Sequence, residues 1–256
     1  MSDKWHIASV SFGKDSLAML LLILDSEGQY PLDEVVFFDW GMEFQAIYNN
    51  RDKLIPILQE KGIKFTGLHY PTSFMYNFCE REVRKKNGTI QKGYSWCGGR
   101  TRWGTDRKQL TIKKYYKTIN REIVEYIGIA ADEFERIPRA RAKGQILPLV
   151  DANMTEKDAL DFCCKKGYNW FEGNIDLYDI MDRVSCWCCK NNNLKELRNM
   201  YHYLPEYWNK LKEMQDKTCM PYKNYTKCGN KYGTVEELEY RFKCEDNNIE
   251  WTFNEW

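Results

Sequence analysis

The sequence predicts an α/β protein: a doubly wound, mainly parallel sheet with helices on both faces, followed by a helical, cysteine-rich extension. Three observations lead there. Short apolar runs alternate with segments of helical period through the first seventy residues. The strand candidates have almost no polar break, as expected of strands buried on both faces. A polar, glycine-containing turn joins the first strand to the first helix, as in doubly wound sheets.

Taken in order, Ile7 to Ser11 reads as a short strand and Asp15 to Ser26 as a buried helix. Glu34 to Asp39 (Glu-Val-Val-Phe-Phe-Asp) is a second strand, rich in β-branched and aromatic residues. A helix follows from about Phe44 to Lys61, with a bend expected at Pro56, and Lys64 to Leu68 is a third strand. Ile123 to Ile129 is another apolar strand. Thr155-Glu-Lys-Asp158 is a capping box opening a helix that runs to about Lys166, and Thr234-Val-Glu-Glu237 repeats the signal near the carboxyl end. The sheet domain is placed at residues 1–180 and the cysteine-rich extension at residues 181–256.

Composition narrows the class. In 256 residues, 43% are hydrophobic and 29% charged, which excludes wholesale disorder. The longest apolar run, Leu17 to Leu24, is far below the roughly 20 residues of a membrane span. No signal peptide is read, so no membrane association and a cytoplasmic location are expected. Ten cysteines in such a compartment point to metal ligands or reactive thiols rather than to disulfides. The three histidines, His6, His69 and His202, are too scattered to suggest a metal site.

Charge is unevenly spread. From Arg81 to Arg121 thirteen basic residues face only Glu82 and Asp106, a local net charge of +11 in a chain of +1. Such a segment attracts anions. Tyr94, Trp96, Trp103, Tyr115 and Tyr116 are interleaved with the charges, so stacking on bases beside phosphate contacts is expected, with nucleic acid as the polyanionic partner.

The segment from Ser9 through Val10, Ser11, Phe12, Gly13, Lys14 and Asp15 to Ser16 lies between the first strand and the first helix. Unpaired N–H groups and the positive end of the helix dipole face an anion there. Gly13 allows close backbone approach, Ser11 and Ser16 carry hydroxyls, and Lys14 adds a charge. The pattern is neither a Walker A loop nor the three-glycine dinucleotide fingerprint.

This loop resembles the Ser-Gly-Gly-Lys-Asp-Ser pyrophosphate loop (PP-loop) of the adenine nucleotide alpha-hydrolase superfamily, in particular the phosphoadenosine phosphosulfate reductase family. Phe38 to Phe44 is similar to the family's Asp-Thr-Gly-x-Glu-Phe. Gly128 to Arg136 is similar to Gly-Ile-Arg-Ala-Asp-Glu-Ser-x-Arg, and Pro148-Leu-Val-Asp151 followed by Met154-Thr-Glu156 to Pro-Leu-x-Asp-Trp before a helix. The resemblance covers about residues 5–190 in the family's order. It implies that Ser11, Gly13, Lys14, Asp15 and Ser16 hold nucleotide phosphates. It also implies that Asp39 and Glu43 edge the nucleotide pocket, and that Gly128, Asp132 and Arg136 complete it. The implied ligand is ATP, with Mg2+, or an adenylyl sulfonucleotide. Two departures are Phe12 for a glycine, which loosens backbone approach, and Ala130 for an arginine, for which Arg139 or Arg141 would compensate.

Cys186 and Cys189 form a C-x-x-C pair, and Cys97 precedes two glycines inside the basic segment. Two thiolates at that spacing reach one metal, and free N–H groups after Cys97 can bond sulfur. Cys97, Cys186 and Cys189 are the expected ligands, with Cys188 a fourth ligand or a free thiol, and Trp96 and Trp187 shielding the centre. The family resemblance favours a [4Fe-4S] cluster over zinc. Cys163 and Cys164 are expected to be buried and unliganded.

Three reactions fit the resemblance. The first is ATP-dependent sulfur transfer, in which an acceptor oxygen is adenylated with pyrophosphate held by the loop. Sulfur carried on a cysteine or on the open iron of a three-cysteine cluster, and supplied by a donor protein, then displaces adenylate. Lys14 and Asp15 serve the phosphates and Cys188 is the candidate thiol. The second is reduction of a sulfonucleotide to sulfite with a protein electron donor and Cys228 as nucleophile; the family's Glu-Cys-Gly-Leu-His is represented only by Lys227-Cys-Gly-Asn-Lys231. The third is a non-catalytic nucleotide-binding subunit. The +11 segment favours sulfur transfer to a large anionic acceptor.

Overall fold

The computed structural model of the chain describes residues 4–227 and 229–251. The run begins β1 (Lys4–Ser9), α1 (Lys14–Asp25), β2 (Glu34–Asp39), α2 (Gln45–Glu60) and β3 (Lys64–His69). A hairpin of β4 (Glu82–Arg84) and β5 (Ile90–Lys92) precedes α3 (Trp103–Tyr116) and β6 (Glu122–Ile127). Then come α4 (Ile137–Arg141), α5 (Pro148–Asp151), α6 (Glu156–Lys165), the two-residue strands β7 (Phe171–Glu172) and β8 (Ile175–Asp176), and α7 (Leu177–Ile180). The carboxyl region carries α8 (Leu194–Tyr203), α9 (Pro205–Gln215), the hairpin β9 (Tyr225–Lys227) and β10 (Asn230–Tyr232), and α10 (Val235–Asp246).

These elements group into two compact units, Met1–Tyr70 with Arg107–Asp176 and Pro71–Asp106 with Leu177–Trp256. The sequence expects one division near residue 180; the cut after Asp176 lies close to it, while Pro71–Asp106 joins the later residues.

The first unit holds a four-stranded sheet in the order β3-β2-β1-β6, with every neighbouring pair parallel. The first five residues of β2 are buried, as its unbroken apolar run predicts. Helices α1 and α2 lie in the β1–β2 and β2–β3 connections, and α3 lies in the connection from β3 to β6. Strand order reverses between β1 and β6, so the carboxyl ends of those strands open a crevice. Helix α6 packs on α1, and the Thr155 capping box is formed, with Thr155 and Asp158 exchanging side-chain and backbone bonds. Glu34, fully buried, accepts from Trp5 Nε1 (2.9 Å), Tyr115 Oη (2.5 Å) and Thr66 Oγ1 and pairs with Lys64 (3.1 Å). A buried carboxylate is tolerated only with such partners.

The second unit is built on aromatic side chains. Trp96 packs against Phe78 and Tyr222 with centroids 5.0 and 4.6 Å apart, and Trp103 against Phe74 at 4.8 Å. Helices α8 and α10 open with capping boxes at Asn193 and Thr234. Trp96 and Trp103 are only 2% and 5% exposed, and Tyr115 and Tyr116 donate their hydroxyls to Glu34 and Glu125. Tyr94 stacks on Trp103. The expectation that these five aromatics present faces to bases is therefore corrected, because core packing and buried hydrogen bonds occupy them. The cations keep their exposure: Arg84, Lys85, Lys86 and Lys92 on the β4–β5 hairpin, and Lys113, Lys114 and Lys117 at the end of α3, all face solvent. Among the described residues, no helix is long and apolar enough to cross a membrane.

Candidate anion cleft and thiol site

In the first unit, a cleft of about 190 Å3 opens at the carboxyl ends of β1 and β6. It is lined by Ser9, Val10, Ser11 and Ser16 around the loop, Phe38 from β2, Lys108 from α3, and Ile127, Gly128 and Arg136 after β6. Its size suits a phosphate or pyrophosphate group better than a whole nucleotide. The loop is tied by Ser11 N donating to Ser16 Oγ and by contact of the two hydroxyls, both at 3.1 Å. Ser16 Oγ in turn donates to Gly13 O at 3.1 Å. Gly13 caps α1 without any side-chain hydrogen bond, which leaves first-turn N–H groups for an incoming anion.

The unusual backbone position is Phe12, not Gly13. Phe12 has φ 59°, a left-handed conformation that disfavours side chains, whereas Gly13 at φ −73° is ordinary. The Phe12 ring is fully buried against Phe37 at 5.3 Å and Phe65 at 6.4 Å, and its carbonyl accepts from Trp170 Nε1 at 2.8 Å. Burial of about 2–3 kcal/mol exceeds a left-handed penalty of about 1–2 kcal/mol. The glycine-like turn is thus kept by a core anchor, and Phe12 itself is not among the residues lining the cleft, which its neighbours Val10 and Ser11 border.

Lys14 is buried and is not among the residues lining the cleft. Its ammonium bridges Asp15 Oδ1 at 2.9 Å and Glu156 Oε2 at 2.6 Å. Burial pulls its pKa down, but the hydrogen bonds to Glu156 and Asp15 outweigh this and hold it above the usual lysine value. Burial raises the Asp15 carboxyl. Asp132 Oδ1 accepts from Glu156 N at 3.0 Å, so it braces the start of α6. Arg136 lines the cleft while pairing with Glu133. Asp39 accepts from Gly41 N at 2.6 Å and from Tyr48 Oη at 2.9 Å, and with Glu43 it sits just beyond the cleft-lining Phe38. Ala130 N donates to Glu133; neither Arg139 nor Arg141 lines the cleft, and Arg141 pairs with Asp151. Ser9 heads the expected phosphate-binding segment, whereas Lys108 and Glu156 are not among the expected site residues. In the sequence Lys108 is only one of thirteen cations, and Glu156 stands only in a capping box and in the family-like segment after Pro148.

The thiol site lies wholly within the second unit. Cys97 Sγ accepts from Gly104 N at 3.3 Å in the first turn of α3, and Lys190 N donates to Cys97 O at 3.3 Å. Burial raises the Cys97 thiol, opposed by the N–H groups of Gly104 and Thr105. Cys189 N closes a turn onto Cys186 O at 3.0 Å, and Tyr222 Oη donates to Cys189 O at 2.5 Å. Gly98 is required here: a Cβ would lie 2.7 Å from Lys190 Cβ, and its φ of 150° disfavours side chains. Cys97 is thereby docked beside the C-x-x-C turn. Cys188 is buried, Cys186 and Cys189 half-buried, and Trp187 buried. Among the described residues, no three His, Cys, Asp or Glu side chains already form a metal-binding group. The donor chemistry nonetheless suits iron–sulfur or zinc: three thiols and N–H groups that bond sulfur. Cys163 is buried with its thiol pushed up to about 12 by burial, as expected, but Cys164 is exposed because it faces outward on α6. Cys228 lies outside the described residues.

A parallel sheet with a cleft at its switch point, bordered by the Ser-x-Gly-Lys-Asp-Ser loop, defines the class of the protein as α/β and doubly wound. Residues 6–133 match the phosphoadenosine phosphosulfate reductase domain, and the chain belongs to that family. The chain is 26% identical over 221 residues to Uncharacterized protein MJ0066 of Methanocaldococcus jannaschii, covering 80% of this chain and 40% of that protein. It therefore spans about two fifths of the length of this curated relative. Among solved structures it is similar to the U34-tRNA thiolase NcsA from Methanococcus maripaludis with its [4Fe-4S] cluster, at 15% identity. That match covers 88% of this chain and 79% of the other, with a TM-score of 0.44.

Proposed function

We propose that the chain is an ATP-dependent sulfurtransferase that adenylates an oxygen of an anionic acceptor, nucleic acid foremost, and lets sulfur displace the adenylate. The observation that carries this reading is the phosphate-sized cleft beside the α1 amino terminus, in a chain whose Arg81–Arg121 segment holds a net +11. In the first step the acceptor oxygen attacks the α-phosphorus of ATP; the new P–O bond forms as the bond to pyrophosphate breaks. Charge growing on the leaving pyrophosphate meets the α1 N–H groups, the Ser11 and Ser16 hydroxyls and the cleft cations, and Mg2+ accompanies the nucleotide. In the second step sulfide, provided by a donor protein, attacks the carbon bearing the adenylated oxygen. Its electron pair forms the C–S bond, the C–O bond breaks and AMP leaves. Cys97, Cys186 and Cys189, with Cys188 next to them, would hold a [4Fe-4S] cluster or zinc; when bound, such a centre supplies a Lewis-acidic position for sulfide.

The test is anaerobic turnover with ATP, sulfide and an RNA acceptor, reading AMP, pyrophosphate and acceptor sulfur. All three should appear in equal amounts. Sulfite released from an adenylyl sulfonucleotide without ATP consumption would replace this reading with the reductase one.

Two further results are expected. Anaerobically prepared protein should contain iron or zinc, and Cys97→Ser, Cys186→Ser and Cys189→Ser should each lose most of it, whereas Cys163→Ser should not. Metal-free wild type, by elemental analysis, would end the metal assignment. For nucleic acid, log affinity should fall with log salt by about 0.9 for each duplex phosphate neutralised. Lys85→Glu with Lys86→Glu, or Lys113→Glu with Lys114→Glu, should flatten that slope. A salt-independent titration would count against a polyanionic acceptor.

A further inference from the structure

We propose that Lys108 and Arg136 are the cations that meet the phosphates in this chain, while Lys14, the lysine of the loop itself, is a scaffold residue held back by Glu156. The proposal rests on the nucleotide reading above and assigns the charges within it.

Geometry separates the two lysines. Lys14 is buried, with its ammonium bonded on both sides to carboxylates, Asp15 Oδ1 at 2.9 Å and Glu156 Oε2 at 2.6 Å. Glu156 is fixed in turn by its backbone N–H to Asp132, so the ammonium closes a bridge from the loop to the start of α6. An anion seeking Lys14 would have to displace two negative partners, one of them its sequence neighbour. Lys108 has no such commitment. It lines the cleft from α3 with its ammonium 6.0 Å from the centre of the Phe38 ring. Among the described residues no carboxylate lies within salt-bridge distance of it. Arg136 stands in the same lining and, among the described residues, pairs with a single carboxylate, Glu133. A cation free of carboxylates in a cleft lined by Ser9, Ser11 and Ser16 gains more from an arriving phosphate than one already neutralised.

The division of labour also gives Asp132 and Glu156 a role that no phosphate contact explains. Both are acidic residues near an anion site, a placement that would repel the ligand unless their charge were spent elsewhere. Asp132 spends it on the α6 amino terminus and Glu156 on Lys14.

Calorimetry of the full chain with inorganic pyrophosphate and with ATP tests this. Lys108→Ala should weaken both by about tenfold or more, the loss expected of one charge-assisted contact, and Lys108→Arg should restore most of it. Lys108→Gln keeps an unbranched polar side chain without the charge and should show the same loss as alanine, which separates lost charge from lost side-chain bulk. Lys14→Ala should lower the melting temperature of the ligand-free chain, because Asp15 and Glu156 lose their shared counter-ion. Wild-type affinity in Lys108→Ala and Lys108→Gln overturns the assignment. So does a Lys14→Ala protein that melts like wild type yet loses pyrophosphate. If wild-type protein binds neither pyrophosphate nor ATP, the nucleotide reading itself fails, an outcome distinct from both.

Discussion

Alanine at Phe12 should cost about 3–5 kcal/mol of stability, the range for deleting a fully buried aromatic ring. The ring is closed in by Phe37 and Phe65, and nothing in the loop could collapse into the space without moving the Trp170 bond to the Phe12 carbonyl. Alanine keeps the same left-handed φ penalty as phenylalanine, so that penalty cancels in the comparison and the loss is that of the buried ring. Phe12→Gly relieves the backbone and still empties the cavity, which should leave it less damaging than alanine by about 1 kcal/mol. Urea unfolding of the three proteins measures both differences. An alanine variant within 1 kcal/mol of wild type would remove the core-anchor account of the loop.

Gly128→Val should be comparably damaging by the opposite mechanism, overfilling. Even a Cβ at this position would lie 2.6 Å from Ser16 Cα and 2.7 Å from Asp15 O, both backbone atoms that side-chain rotation does not move. Either β6 retreats from the sheet or the first turn of α1 shifts, and overpacking of this kind costs about 1–3 kcal/mol before any loss of hydrogen bonds. The shifted turn is the one that carries the cleft-lining Ser16, so pyrophosphate binding should fall together with the melting temperature. A valine variant matching wild type in calorimetry and in thermal melting would show that the close approach has slack.

Much of the sheet unit was legible because its signals are local. Glu34–Asp39 is predicted and found with the same bounds, and both threonine capping boxes open helices where expected. The first strand ends two residues earlier than its apolar run, at Ser9, because Val10 and Ser11 turn into the cleft. The loop residues Ser11 and Ser16 are found in the cleft for the same reason: a strand–turn–helix fixes them by chain connectivity alone. What stayed hidden depends on packing across long sequence separations. Lys14 and Glu156 are 142 residues apart, and no periodicity reports that their side chains meet. Trp96 and Trp103 look like base-stacking platforms in a basic segment, yet Phe74, Phe78 and Tyr222 enclose them. Composition shows how many aromatics a segment has, not which face of the chain they take.

The bridge from Asp132 through Glu156 to Lys14 has a consequence for descent. Three positions scattered along the chain share one ion pair and one backbone bond, so none of them drifts freely. A lineage that loses the acid at position 156 leaves Lys14 one carboxylate fewer and frees part of its charge for the cleft, which relaxes the demand on position 108. Glu156 and Lys108 should therefore covary across relatives: where the acid is absent, the loop lysine inherits the phosphate, and the helix cation becomes dispensable.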